Sequence, residues 1–293
     1  MTSPLPPSDV TRFVILFEGR TGSSHLISLL DSHPLVRAGT EIISGHLALS
    51  GEEERAMVRG ELDIDRRDDA VAIGFKTKLS DIREKTEMAR VFRESGVRVI
   101  RLRRANEVKI AVSVLNERVL RARNELSNAT STIMRTEPLV AEPAVIEGLI
   151  RQRRAFDDAL DAFVQEIAQP TLEVLYEDLL ADQDRVTHEV LEFLDVPPAP
   201  LRSRVVKNTS DDLRDSIRNF EELQRHFRGT EFESQLREAV PAAAWKHPDP
   251  DSLRARTARA IGTARRIRGK VRRGIARRLH PITARLRQLR PRR

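Results

Sequence analysis

The chain contains no cysteine, no signal peptide and no long apolar run. The absence of cysteine among its 293 residues excludes disulfide bonds and cysteine-ligated zinc. No stretch approaches the apolar length of a membrane span, and the first ten residues, which include Pro4, Pro6 and Pro7, lack the apolar core of a signal peptide. These absences predict a soluble, cytoplasmic protein.

Charge is distributed unevenly along the chain. Residues 251–293 contain sixteen Lys and Arg against one acid, a net charge of +15, whereas residues 1–250 sum to −8. Apolar residues recur in this tail mostly four apart, at Ile261, Ile267, Val271, Ile275 and Leu279. The spacing predicts a basic amphipathic helix, which suits anionic surfaces. The tail has no aromatic residues for base stacking, which disfavours nucleic acid as a partner.

An apolar run leads directly into a small-residue turn near the start of the chain. Phe13 to Phe17 are five consecutive apolar residues, typical of a strand buried on both faces of a parallel sheet. The turn from Gly19 to Ser24 reads Gly-Arg-Thr-Gly-Ser-Ser and precedes a helical pattern. Glycine permits close backbone approaches, and a helix N-terminus attracts anions, so this turn predicts a phosphate or sulfate site. An ordinary strand-to-helix turn with a capping serine is the alternative.

The turn does not match the nucleotide-binding pattern GxxxxGK[ST]. Only two residues separate Gly19 from Gly22, and the cation is Arg20 inside the turn. An acidic strand end to hold magnesium on a polyphosphate is also lacking. A donor with a single 5′-phosphate would need less.

Two motifs resemble sulfotransferases that use 3′-phosphoadenosine 5′-phosphosulfate (PAPS). The first is the 5′-phosphosulfate loop Arg20, Thr21, Gly22, Ser23 and Ser24, followed by His25 and an LLDSHP segment similar to the bacterial carbohydrate-type branch. The second is a strand, an arginine and a helix bearing AVS, which resembles the 3′-phosphate motif. The spacing of arginine and serine in the family implies that Arg104 and Ser113 hold the 3′-phosphate, and Arg103 is the alternative to Arg104. The resemblance extends through LYEDLL and EFLDVPP to a C-terminal donor-covering segment, where Lys207 could reach the 3′-phosphate.

The resemblance also implies catalytic residues. Glu41 lies where the family has a proposed base, and it could take a proton from an acceptor hydroxyl if partial burial raises its pKa. His46 and His25 are alternatives because histidine has the more suitable ordinary pKa. Lys76 follows a predicted strand from Val71 to Phe75 and, with Arg20, would act on the transferring group.

We therefore expect an α/β, P-loop-like three-layer fold with a central parallel sheet and a basic helical tail. The predicted divisions are a disordered lead-in (1–11), a sulfotransferase catalytic domain (12–250) and the tail (251–293). Further strands are predicted at Gly96–Leu102 and Thr171–Leu175.

The expected reaction is sulfuryl transfer from PAPS to a glycan or glycolipid hydroxyl, without a metal, and the tail permits a peripheral position at the inner membrane face. The alternatives are an ATP-dependent phosphotransferase with a degenerate loop, and a nucleic-acid or anionic-membrane binding protein acting through its tail.

Overall fold

The structure is a computed structural model that describes residues 10–44, 49–63, 69–122, 137–205 and 212–237. Three sequence predictions lie outside these residues, namely His46, Lys207 and the basic tail, and so do residues 1–9 of the predicted lead-in.

Five strands form one fully parallel sheet in the order β2-β3-β1-β4-β5. They are β1 (Thr11–Phe17), β2 (Val36–Gly39), β3 (Ala72–Thr77), β4 (Arg98–Arg103) and β5 (Thr171–Leu175). The predicted α/β fold with a central parallel sheet is confirmed. The four predicted strands are present with shifts of one or two residues at their ends, whereas the edge strand β2 was not predicted.

The strands alternate with helices of very different length. These are α1 (Ser23–Leu30), α2 (Gly51–Leu62), α3 (Lys85–Glu94), α4 (Glu107–Ala122), α5 (Pro143–Ile167), α6 (Tyr176–Ala181), α7 (Gln183–Phe193), α8 (Leu213–Ser216), α9 (Phe220–His226) and α10 (Glu233–Arg237), with a 3₁₀ turn at Leu79–Asp81. Within the described part of the chain, every helix is too short or too polar to cross a membrane.

Strand β1 lies at the centre of the sheet because both of its faces are apolar. Phe13, Ile15 and Phe17 pack into a core formed with α1, α6 and α7. Val14 and Leu16 pack on the other side, into a core formed with α2, α3 and α5. All five side chains are buried, as the unbroken apolar run predicts. The sheet is therefore the middle of three layers.

The strand register brings the predicted motifs to one edge of the sheet. Ile15 of β1 is level with Lys76 of β3, and Phe17 is level with Leu102 of β4. The turn after β1, the end of β3 and the arginine after β4 consequently meet at the carboxyl ends of neighbouring strands, where open parallel sheets bind ligands.

A third apolar cluster joins the later helices to this frame. It contains residues of α4, α5, α8, α9 and α10. The start of α4 is also held by α10, because the Asn106 side chain donates to the Gln235 carbonyl (2.8 Å) and the Val108 N–H donates to the Gln235 side chain (3.2 Å). The C-terminal helices thereby fix the helix that carries Ser113.

Candidate active site

The backbone of the turn between β1 and α1 requires glycine at position 22. Gly22 has φ +83°, and a Cβ there would lie 2.3 Å from the ring of Tyr176. Its carbonyl accepts from the N–H groups of His25 and Leu26, which starts α1, and no side chain caps the helix. The opening N–H groups of α1 are therefore available to an anion.

Three successive carbonyl groups of the turn are fixed by side chains. Thr21 Oγ1 donates to the Glu18 carbonyl at 2.8 Å, Arg153 Nη1 to the Gly19 carbonyl at 2.8 Å, and Arg104 Nη1 to the Arg20 carbonyl at 3.2 Å. All described peptide bonds are trans, so the N–H of each peptide group points away from its fixed carbonyl. These contacts set the direction in which the turn presents its N–H groups.

Lys76 forms the first of two cationic centres beside the turn. Its ammonium donates to Ser24 Oγ at 3.1 Å and Ser23 Oγ at 3.2 Å, and it lies 3.0 Å from Glu41 Oε1. The residue is only 4% exposed, and its Nζ lies 5.0 Å from the centre of the Phe17 ring. The predicted residues Ser23, Ser24, Glu41 and Lys76 therefore share one cluster.

The charges in this cluster shift one another's pKa. Burial lowers the pKa of Lys76, and the Glu41 carboxylate opposes that shift. Burial alone would raise the pKa of Glu41, but the ammonium groups of Lys76 and Lys78 together outweigh it and hold the pKa below its ordinary value. The condition considered for Glu41, a pKa raised by partial burial, is therefore not met, because two lysines lie within 3.5 Å of its carboxylate.

Arg20, Arg104 and Ser113 form the second cationic centre. Arg20 Nε donates to Ser113 Oγ at 2.8 Å, and the Arg104 guanidinium lies over the Tyr176 ring at 4.9 Å. Burial lowers the pKa of Arg20; the carboxylate of Glu117 opposes this effect and Arg104 adds to it. Two guanidinium groups and a hydroxyl thus meet in a largely buried place, a donor set that suits a phosphate group.

Arg103 and Arg104 point to different surroundings. Arg103 pairs with Asp161 of α5 and with Glu173 of β5, at 2.7 Å for the latter. Arg104 instead reaches the turn, and its side chain is 9% exposed. Of the two arginines that the motif left open, Arg104 reaches the carbonyl of Arg20, whose side chain binds Ser113, and lies 3.8 Å from Glu177, whereas Arg103 lies within an acidic cluster.

Two predicted residues are placed differently from expectation. The side chain of Arg20 was expected beside the 5′-phosphosulfate, but it points to Ser113 and only its backbone belongs to the turn. His25 was expected at the donor or as a base; it is buried instead, it hydrogen-bonds Gln183 of α7, and burial lowers its pKa to about 4. Its hydrogen bond to Gln183 places it against α7.

A cavity of about 510 Å³ opens beside the first cationic centre. Ser24, Glu41 and Lys76, which belong to that centre, line one end of the cavity. Its remaining lining residues come from α1, the end of β2 and a segment before α8: Ile27, Ser28, Asp31, Ala38, Thr40, Ser44 and Val205. This volume is within the ~300–1,000 Å³ typical of small-molecule sites. An acceptor entering here would meet Glu41 and Lys76 together.

The sequence reasoning missed the support supplied by α5. Arg153 is buried and pairs with Asp157 at 2.6 Å while it holds the Gly19 carbonyl. Arg101 of β4 binds the same Asp157 at 2.7 Å and Asp161 at 2.9 Å. The four-residue spacing of Arg153, Asp157 and Asp161 is a signal that these three share one face of a helix.

Comparison with curated proteins finds relatives that match most of the chain. It is 27% identical over 240 residues to nodulation protein H of Rhizobium meliloti strain 1021, covering 77% of this chain and 93% of that protein. It is 26% identical over 230 residues to nodulation protein H of Rhizobium tropici, covering 74% and 89%. No protein-family model matches the chain.

Among solved structures, the chain is similar to a sulfotransferase from Alicyclobacillus acidocaldarius, with a TM-score of 0.43, 16% identity, and coverage of 84% of this chain and 100% of that one. It is also similar to the sulfotransferase domain from the curacin biosynthetic pathway, with a TM-score of 0.40, 14% identity, and coverage of 86% and 99%. The chain is a relative of nodulation protein H, and its resemblance to the bacterial carbohydrate-type branch of the sulfotransferase family is confirmed.

Proposed function

We propose that the protein transfers a sulfuryl group from PAPS to a hydroxyl group of a glycan or glycolipid. The observation that carries this proposal is the pair of cationic centres on either side of the Gly22 turn. Lys76 with Ser23 and Ser24 lies on one side, and Arg104 with Ser113 lies on the other. A donor with anionic groups at both its 5′ and 3′ positions matches two separate centres, whereas a linear polyphosphate does not need the second one.

Each centre is assigned to one end of the donor. The N–H groups that begin α1, with Ser23, Ser24 and Lys76, would hold the 5′-phosphosulfate. Arg104, Ser113 and the side chain of Arg20 would hold the 3′-phosphate, because guanidinium groups bind phosphate oxygens bidentately. Arg20 is therefore assigned to the 3′ end through its guanidinium, and its backbone carbonyl is held by Arg104.

The reaction we assign is an in-line displacement at sulfur. The acceptor oxygen forms a bond to sulfur as the bond between sulfur and the bridging phosphate oxygen breaks, and adenosine 3′,5′-bisphosphate leaves. Glu41 takes the proton of the acceptor hydroxyl, since it lines the cavity and is ionised at neutral pH, although its lowered pKa makes it a weaker base than a carboxylate with a raised pKa. Lys76, 3.0 Å from Glu41, is placed to stabilise negative charge that develops on the leaving oxygen.

Arg104→Ala should weaken binding of adenosine 3′,5′-bisphosphate. Loss of a hydrogen-bonded charge pair typically costs about 1.5–3 kcal/mol, roughly a 10-fold to 150-fold rise in Kd. Arg103→Ala is the matched control, because Arg103 is committed to Asp161 and Glu173. Isothermal titration calorimetry measures both variants.

Two results of that titration would contradict the donor assignment. One is equal affinity of the wild type for adenosine 5′-phosphate and adenosine 3′,5′-bisphosphate. The other is tighter binding of ATP than of PAPS, which would favour a phosphotransferase.

We also propose that the basic tail attaches the enzyme to anionic surfaces and takes no part in the chemistry. The +15 charge of residues 251–293 contrasts with the −8 of residues 1–250, so only the tail should seek such surfaces. Deleting Leu253 to Arg293 should prevent sedimentation with anionic liposomes, while turnover on a soluble acceptor stays unchanged. If the truncated protein unfolds or loses donor binding, the tail belongs to the catalytic fold.

A further inference from the structure

The cavity beside Glu41 extends along one face of α1. Ser24, Ser28 and Asp31 line it at intervals of three or four residues, as one face of a helix requires. Asp31 lies seven positions after Ser24, which corresponds to about 10 Å along the helix axis. The cavity therefore has a reacting end at Ser24 and a distal end at Asp31.

The segment from Arg202 to Val205 forms another part of the wall at the distal end, and hydrogen bonds hold it in place. The Arg204 N–H donates to Ser28 Oγ at 2.8 Å, and the Arg202 N–H donates to Ser32 Oγ at 2.9 Å. Val205, which follows directly, lines the cavity. Two hydrogen bonds, one to Ser28 within α1 and one to Ser32 just after it, thus hold the segment against the helix and its C-terminal end, and the distal end has a defined shape.

Asp31 supplies the carboxylate of the distal end, with Arg204 and Arg37 beside it. Among the described lining residues, Lys76 is the only cation, and it lies at the reacting end bound to Glu41. Thr40 and Ser44 add hydroxyl groups to the lining of the cavity. Arg204 Nη1 is 4.0 Å from Asp31 Oδ2, but both side chains are more than half exposed, so this pair is weak and leaves the carboxylate able to accept other donors.

Asp31 occupies a position that does not favour its charge. It is the C-cap residue of α1, where the helix dipole is negative and where a cation would be the stabilising choice. Burial raises the pKa of its carboxyl group, while Arg204 and Arg37 oppose that shift. A carboxylate that costs stability at the end of a substrate cavity indicates a role in recognition.

We infer that Asp31 determines acceptor specificity. This inference rests on the proposed sulfuryl transfer and names its substrate class: a polyol, neutral or bearing an ammonium group, that extends about 10 Å beyond the hydroxyl being sulfated. The Asp31 carboxylate accepts hydrogen bonds from hydroxyl or ammonium groups at the far end of the acceptor. It repels acceptors that carry carboxylate or sulfate groups there, which gives discrimination by charge.

The test compares Asp31→Asn and Asp31→Lys with the wild type on three trisaccharides: maltotriose, a glucosamine trimer and a galacturonic acid trimer. Asp158→Asn is the matched control, because Asp158 is an exposed aspartate of α5 that does not line the cavity. Radiolabelled sulfate transfer gives kcat/KM for each acceptor. Calorimetry with adenosine 3′,5′-bisphosphate and a thermal melt are measured in parallel.

The wild type should sulfate the neutral and amino trimers and reject the galacturonic acid trimer. Asp31→Asn should lower kcat/KM for the amino trimer about 10-fold, in line with loss of a charge-assisted hydrogen bond. Asp31→Lys should shift the preference toward the anionic trimer, because it replaces the carboxylate by a cation. Neither change should alter affinity for adenosine 3′,5′-bisphosphate, and Asp158→Asn should match the wild type throughout.

Three results would overturn the inference while adenosine 3′,5′-bisphosphate still binds: unchanged acceptor ratios in both Asp31 variants, wild-type preference for the anionic trimer, or no transfer to the neutral and amino trimers. If the wild type fails to bind adenosine 3′,5′-bisphosphate at all, the proposed sulfuryl transfer itself is wrong and the inference falls with it.

Discussion

Replacing Glu41 by Gln should lower turnover about 100-fold or more, because general-base catalysis commonly contributes that much. The amide keeps the shape of the side chain and a contact to Lys76 but cannot take a proton. Affinity for adenosine 3′,5′-bisphosphate should change little, since the groups assigned to the 3′-phosphate are Arg104, Ser113 and the Arg20 guanidinium. Glu52→Gln, an exposed glutamate of α2, is the control.

The pH dependence of kcat/KM tests the same assignment. Lys76 and Lys78 hold the pKa of Glu41 below its ordinary value of 4.5. The Glu41 carboxylate therefore stays ionised as the pH falls from neutrality, and kcat/KM should decline only below pH 4.5. An unperturbed histidine base would instead give an acid limb near pH 6.5. Wild-type turnover in Glu41→Gln, or a limb near pH 6.5, would transfer the role to His46. The pKa of His25 is about 4, so the pH profile alone would not separate a His25 base from Glu41. Turnover of the His25→Ala variant separates them.

Gly22→Ala should destabilise the fold and remove the donor site together. An alanine at φ +83° is strained by about 1–2 kcal/mol, and its Cβ would overlap the Tyr176 ring, which adds roughly 1–3 kcal/mol. Displacing that ring also disturbs Arg104, which lies over it. Urea denaturation should show a loss of about 2–5 kcal/mol in the free energy of unfolding, and calorimetry should show little binding of adenosine 3′,5′-bisphosphate.

Gly19→Ala provides the comparison within the same turn. A Cβ at Gly19 meets no atom within 4 Å, so stability should change by less than about 1 kcal/mol. Equal stability of the two alanine variants would mean that the contact between Gly22 and Tyr176 does not constrain the turn.

The parts of the fold that follow from short contiguous patterns were predictable. The apolar run Phe13 to Phe17 identified the central strand, and the glycine-rich turn identified the start of α1. The edge strand β2 was missed because it has only four residues, Val36–Gly39, and only its first is fully buried. So short a segment gives neither an apolar run nor a clear alternation.

The side-chain partners in the candidate site were less predictable, because they depend on tertiary packing. The choice between Arg103 and Arg104 had a usable signal: Arg101 and Arg103 are two apart in β4 and share a face, which α5 supplies with Asp157 and Asp161. Arg104 lies beyond the end of the strand, so its side chain does not follow the alternation between the two faces of the sheet. By contrast, nothing in the local sequence shows that Lys76 and Lys78 both reach Glu41, and so the direction of its pKa shift could not be predicted.

The fixed carbonyls of the turn have a consequence for the order of folding. The contact from Thr21 to Glu18 spans three residues and can form early, but those from Arg104 to Arg20 and from Arg153 to Gly19 span 84 and 134 residues. An amino-terminal fragment emerging from the ribosome would carry the whole glycine-serine motif without its anion site. Competence to bind the proposed donor would arise only after α5, which ends at Ile167, has been synthesised and has docked.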